Sequence, residues 1–166
     1  MALCFASYRA RLGVCGMSAM KIHSTCLDLV SASRIVEMAL ARGRSCGFKP
    51  LTVAVLDAGG HLVAFAREDG SGILRPQIAM GKAWGVLGMG LGGRSLAERA
   101  QAHAGFYAAL ASVSEGRMVP VPGGVLVRNA QDEIVGAVGI SGDLPDNDEN
   151  CALAGIEAAG WRADPG

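Results

Sequence analysis

The clearest pattern of hydrophobic and polar positions lies in residues 51–70, LTVAVLDAGGHLVAFAREDG. Thr52 to Leu56 is a short apolar run rich in β-branched residues, and a second run covers His61 to Arg67. The intervening Asp-Ala-Gly-Gly is typical of a tight turn, because glycine accepts positive φ without a Cβ clash. The stretch therefore predicts an antiparallel hairpin. Alternation along its second strand predicts that one face carries Val63, Phe65, Arg67 and Asp69.

Apolar positions elsewhere predict helices. A period near 3.6 residues begins at Ser24 or Thr25, the predicted cap, and ends at Gly43 or Gly47. A second helix is predicted from Pro76 to about Gly88. A third begins at a Ser95–Glu98 capping box and continues to Ser112 with a break at Gly105. A second capping box, Asp146 and Glu149, predicts the start of a last helix.

The other apolar runs predict strands. Met118 to Val121 is a candidate short strand, and Val125 to Arg128 with Ile134 to Ser141 predicts a second hairpin. Short turns between neighbouring strands make them antiparallel. The predicted fold is therefore α+β: one antiparallel sheet of about five strands with helices packed against it. A single domain is expected at residues 21–166, preceded by an N-terminal extension at 1–20.

Composition narrows the function. The formal net charge is +0 and aromatic residues make up 5% of the chain, which argues against nucleic-acid binding. No apolar run reaches membrane-spanning length, so we expect no membrane partner. The five cysteines form no CxxC pair, which argues against a zinc site or disulfide framework and favours a reducing cytoplasm. Because 51% of the residues are hydrophobic, we also expect a homo-oligomer.

Charged residues and glycines are predicted to converge beside the first hairpin. Arg67 binds carboxylates well because its guanidinium forms two parallel hydrogen bonds, whereas Lys82 acts as a point charge. Lys82 lies four residues from both Ile78 and Val86, so it is either a snorkelling lysine or an anion ligand. The simpler alternative is an Arg67–Asp69 surface pair with glycines needed only for packing. The residues predicted to bind ligand are Arg67, Lys82, Ser95, Gly123, Gly124, Gly139, Ser141 and Gly142.

Four segments resemble, in order, the hallmark segments of the GlcG/HbpS family. The domain of this family also occurs at the C-terminus of some PduO-type corrinoid adenosyltransferases. They are VLDAGGHLVAFAREDG, IAMGKAWGVLGMG, PVPGGVLV and VGAVGISG. The resemblance implies a profilin-like sandwich, a symmetric oligomer, and a link to haem binding or degradation. The chain departs from the family pattern around the expected pocket, at Gly85, Arg94, Ser95, Leu126 and Val127.

Three functions follow as hypotheses. The first is a haem-binding or haem-degrading protein, with His61, His103, Met80 or Tyr107 as candidate axial ligands. The second is a lyase or isomerase acting on a small organic or aromatic carboxylic acid. There Arg67 or Lys82 would hold the carboxylate, and His61, His103 or Asp69 would move a proton. The third is a non-catalytic sensor or accessory subunit. No metal site is predicted.

Overall fold

A computed structural model describes residues 27–166. The predicted extension at 1–20 and the predicted caps Ser24 and Thr25 lie outside this range. Within it the helices are α1 Leu29–Ser45, α2 Arg75–Met89, α3 Gly93–Ala102, α4 Ala104–Val113 and α5 Pro145–Ala158. The strands are β1 Thr52–Asp57, β2 Leu62–Arg67, β3 Gly124–Arg128, β4 Ile134–Ser141 and β5 Arg162–Asp164.

One antiparallel sheet of strand order β2-β1-β4-β3-β5 forms the centre of the structure. Helices α1 and α5 pack together on one face, and α2 covers β1, β3 and β4 on the other. Helices α3 and α4 follow α2 in the chain, with α3 in contact with both α2 and α4. The predicted α+β fold with an antiparallel sheet is confirmed.

Glycines allow α2 to lie directly on the sheet. A Cβ on Gly139 of β4 would lie 2.7 Å from the backbone nitrogen of Ala83 and even closer to the carbonyl of Ala79. A Cβ on Gly124 of β3 would lie 2.7 Å from the carbonyl oxygen of Lys82. The surface of Gly139 on this face is therefore covered by the backbone of α2, whose position on the sheet is set by these close contacts.

Several predicted element boundaries are wrong. Residues 118–121 form no strand, since the backbone N–H of Val119 donates to the carbonyl of Gly81 in α2 at 3.2 Å. The fifth strand is instead β5, which forms the edge of the sheet opposite β2. The long third helix breaks at His103, not at Gly105, giving α3 and α4.

Both predicted capping boxes are also wrong. Helix α3 begins earlier, at Gly93, and α5 begins at Pro145, so neither helix has a side-chain cap. The carboxylates of Asp146 and Glu149 instead accept hydrogen bonds from Arg94. Helix α1 does have a side-chain cap, because Asp28 Oδ1 accepts from the N–H of Ser31 at 2.7 Å.

The face predicted for β2 is partly correct. Phe65 pairs with Ala54 and Arg67 with Thr52, which places both on the α2 side of the sheet. Val63 packs instead against the α1 side, because the register shifts next to Leu56 and inserts one extra residue into β2.

The core between the sheet and the α1–α5 layer contains Cys151, which burial makes chemically inert. Removal from water raises the pKa of its thiol to about 12, whereas Cys46 is exposed. We expect iodoacetamide at pH 8 to modify Cys46 and to leave Cys151 unmodified until urea unfolds the protein. Peptide mass spectrometry measures both sites. Equal labelling of the two thiols in the folded protein would contradict the buried position.

Candidate functional site

Lys82 forms an ion pair in the protein interior. Only 3% of its side chain is exposed, and its Nζ donates to Asp148 Oδ2 and to the carbonyl of Ile140, both at 2.8 Å. The other oxygen of Asp148 accepts from the N–H of Asp143 at 3.0 Å. A Cβ on Gly123, whose φ is +97°, would lie 2.8 Å from Lys82 Nζ. The amine therefore does not reach water, which excludes the snorkelling alternative, and it joins α2 to α5.

Burial controls the electrostatics of this pair. Loss of water lowers the pKa of Lys82 and raises the pKa of Asp148, because desolvation outweighs the attraction between the two groups. Beside them, Glu149 Oε1 accepts from Arg94 Nε at 2.7 Å. Within residues 27–166, Glu149 Oε2 is buried and has no hydrogen-bond partner. The cluster joins α2, α3 and α5, with Lys82, Asp148 and Glu149 buried and Arg94 exposed at its edge.

Arg67 lies at the end of a polar row on the α2 side of the sheet. Register places Arg67 beside Thr52, and Thr52 beside Ser141, on three neighbouring strands. Arg67 donates to the carbonyl of Ser71, whose hydroxyl lies 2.8 Å from that of Thr52. Arg75 donates to the hydroxyl of Ser141 at 3.1 Å. This row brings the predicted residues Arg67 and Ser141 to the same end of the molecule.

A shallow cleft of about 530 Å³, here called the arginine cleft, lies beside this row. Its Arg44 is paired with Glu68 at 2.9 Å, whereas both Arg67 and Asp69 are exposed. The lining residues are Arg44, Phe48, Pro50, Arg67, Glu68 and Asp69.

A second concavity of about 360 Å³, the apolar cleft, lies between the β1–β2 turn, one side of α2 and the segment after α4. Its volume is in the range of small-molecule sites, about 300–1,000 Å³. Arg117 closes one side, with its guanidinium carbon 4.7 Å from the centroid of the Trp84 ring. The lining residues are Leu56, Gly60, Leu62, Gln77, Met80, Gly81, Trp84, Gly116 and Arg117.

The other predicted site residues are dispersed. His61 lies between Gly60 and Leu62, both of which line the apolar cleft, but 81% of its side chain is exposed and its Nδ1 lies 3.2 Å from Asp57. His103 is exposed at the α3–α4 junction. Tyr107 is buried edge-to-face against Phe106. Ser95 lies in the first turn of α3.

The remaining predicted glycines lie in close contact with neighbouring elements. A Cβ on Gly142 would lie 2.8 Å from the Cα of Leu51, so Gly142 fits beneath the start of β1. Gly123 and Gly124 face Lys82, as described above. Sequence reasoning missed Trp84 and Arg117, although Met80 and Trp84, four residues apart on one predicted helix, indicated a shared surface.

Among residues 27–166, no group of three or more histidine, cysteine, aspartate or glutamate side chains is placed to hold a metal ion. In the same part of the chain, no helix combines the length and the apolar character that crossing a membrane requires. A metal held by a cofactor would thus need its ligands from isolated side chains, such as Met80 or His61.

Solved structures with the same fold include a PduOC–haem complex, which is 24% identical with a TM-score of 0.75 and covers 82% of this chain and 97% of that one. HbpS is 26% identical with a TM-score of 0.68, covering 82% and 92%. Klebsiella pneumoniae protein ORFY is 21% identical with a TM-score of 0.73, covering 81% and 90%. No curated protein matches the chain.

The sequence profile of the family described as haem degrading protein HbpS-like matches residues 27–157. The match extends from the residue before the cap of α1 to the last turn of α5, and so contains every strand except β5. The chain therefore belongs to the HbpS-like family.

Proposed function

We propose that this protein binds haem and that the apolar cleft is the binding site. One observation carries the proposal. In this HbpS-like fold, the apolar cleft is lined by one arginine, Arg117, and by the thioether of Met80, and the imidazole of His61 lies between two lining residues in sequence. A porphyrin needs an apolar surface for its ring, a cation for its propionates and a soft or nitrogen ligand for its iron. The structure of PduOC with haem, in the same fold, supports haem as the ligand.

Each requirement has a residue in the cleft. Leu56, Leu62 and the ring of Trp84 offer apolar contact to the porphyrin. Arg117 is exposed and close enough to the cleft to pair with a propionate. Met80 lines the cleft, so its sulfur would be the ligand of the haem iron, whereas His61 does not line the cleft and is paired with Asp57.

Haemin titration of the purified protein tests the site. We expect a saturable Soret shift at near 1:1 stoichiometry. Met80→Leu should move the band, because it removes the axial sulfur. Arg117→Gln should weaken binding about tenfold, the effect of losing roughly 1.4 kcal/mol from one charge-assisted hydrogen bond.

Two variants serve as matched controls. His103→Ala removes an exposed histidine that does not line the cleft, and we expect no change in the spectrum. Arg67→Gln removes an arginine of the arginine cleft, and we expect unchanged affinity. Weakening by Arg67→Gln without any effect of Arg117→Gln would move the haem site to the arginine cleft. Absence of saturable binding would overturn the proposal.

Turnover is a separate measurement. Loss of the Soret band on adding ascorbate to the haemin complex under air would support haem degradation by the protein. A stable spectrum would instead support a non-catalytic sensor or accessory subunit.

The arginine cleft favours a second candidate, a small organic or aromatic acid. Arg67 would hold the carboxylate, Phe48 and Pro50 would contact the apolar part, and Asp69 would be the proton-transfer group. We expect benzoate, but not benzamide, to raise the melting temperature, and Arg67→Gln to remove the effect. Equal shifts with both compounds would contradict recognition of the carboxylate.

A further inference from the structure

Trp84 lines both the apolar cleft of about 360 Å³ and a second, smaller cavity of about 140 Å³, and no other residue within 27–166 lines both. The smaller cavity is also lined by Gly88, Met89, Leu110, Val113, Ser114 and Met118. An apolar ligand that extends from the cleft into the smaller cavity would therefore have to pass Trp84.

Two contacts hold this ring and its surroundings in place. The Arg117 guanidinium lies over the indole at 4.7 Å, within the distance of a cation–π interaction. Residues 117–119 lie against glycines of α2, since a Cβ on Gly81 would lie 2.6 Å from the carbonyl oxygen of Arg117. A Cβ on Gly85 would lie 2.8 Å from Met118 Cγ. The segment that carries Arg117 is thus fixed on the helix that carries Trp84.

The guanidinium itself is more weakly held than its backbone. Arg117 Nε donates to the carbonyl of Ser114 at 3.3 Å, and its terminal nitrogen lies 3.3 Å from an oxygen of Glu115. Both groups of this ion pair are exposed, so the pair stabilises the side chain little. The Arg117 guanidinium can therefore leave Glu115 and pair with a bound anion while it stays in contact with Trp84.

We infer that Trp84 determines the length of the apolar anions that this cleft accepts, and that Arg117 binds their acidic group. The inference rests on the proposed use of the apolar cleft as a ligand site, but not on haem as the ligand. Replacing Trp84 by a smaller side chain joins the two cavities and admits a longer ligand. Removing the positive charge of Arg117 weakens the binding of short and long anions alike.

Two fluorescent probes test this without haem: 1-anilinonaphthalene-8-sulfonate and its covalent dimer, bis-ANS. The chain has two tryptophans, so the variants are made in a Trp161→Phe background, in which Trp84 is the only tryptophan left. We expect the monomeric dye to quench Trp84 emission at near 1:1 stoichiometry. In the same background, Trp84→Ala should improve the affinity for the dimer relative to the monomer about tenfold, measured by the rise in emission of the dye itself.

Matched variants make the result specific. Trp84→Phe keeps an aromatic ring between the cavities and should preserve the wild-type dye preference, and Trp84→Leu serves if the alanine variant does not fold. Arg117→Gln should weaken both dyes several-fold. Phe106→Ala, an exposed aromatic of α4 outside both cavities, should change neither.

An unchanged dimer-to-monomer ratio in folded Trp84→Ala or Trp84→Leu would overturn the role of Trp84. Wild-type affinity of Arg117→Gln for both dyes would overturn the role of Arg117. Both outcomes are independent of the haemin titration, which can fail while the dye preferences hold.

Discussion

Asp148→Asn is expected to lower the free energy of unfolding by about 3–5 kcal/mol, because it leaves the Lys82 ammonium buried without a counter-charge. The carboxylate accepts from Lys82 Nζ at 2.8 Å, and both side chains are almost completely buried. A domain of ordinary stability has about 5–15 kcal/mol in total, so the variant approaches the limit of folding. Urea unfolding followed by circular dichroism measures the loss.

The double variant Lys82→Met with Asp148→Leu should recover most of that stability. Burial lowers the pKa of Lys82 and raises the pKa of Asp148, so both groups lose hydration that their attraction does not fully return. Replacing such a pair by apolar side chains of similar size is often neutral or stabilising.

An exposed ion pair provides the control. Arg34 and Glu37 lie 3.0 Å apart on α1 with side chains 48% and 66% exposed, and Arg34→Gln should cost less than about 1 kcal/mol. A loss in Asp148→Asn no larger than in Arg34→Gln would show that the Lys82 ammonium does not need its partner.

The double variant also separates structure from binding. Lys82 was predicted from the sequence as a group that binds anions, and the structure gives its amine two internal acceptors. If the folded double variant binds haemin with wild-type affinity, Lys82 contributes to stability alone. A selective loss of binding would support the ligand role.

Local signals explain which parts of the fold were predictable. The first hairpin combines alternation with paired glycines, and both act within a few residues. Strand β5, Arg162–Asp164, is only three residues long and two of them are charged, and it pairs with β3. The apolar Met118–Val121 segment has the composition of a strand, yet it packs on Gly81 and Gly85 of α2. Tertiary contacts decided both cases.

The site was harder to predict because its partners are distant in sequence. Lys82 and Asp148 are 66 residues apart, and the spacing of the acidic residues fitted a helix cap equally well. Trp84 and Arg117 meet only because the segment after α4 turns back onto α2. Periodicity places residues on a face of their own helix, but it does not identify what covers that face.

Gly139→Ala is expected to destabilise the protein by at least about 3 kcal/mol, above the ordinary cost of overpacking, because the added methyl meets helix backbone. A Cβ there would lie 2.7 Å from the nitrogen of Ala83 and closer still to the carbonyl of Ala79. Side chains can change rotamer, but these atoms move only if α2 lifts from the sheet. The same urea titration measures the effect.

Gly105→Ala is the matched control, since a Cβ at that position meets nothing within 4 Å. It lies in α4, where alanine favours the helix over glycine, so we expect a gain of up to about 1 kcal/mol. The sequence motif predicts Gly139 as a ligand contact, whereas the structure seats α2 upon it. If Gly139→Ala keeps wild-type stability and loses haemin binding, the predicted ligand contact is supported. If its free energy of unfolding falls as expected, the need to pack α2 against the sheet explains the glycine.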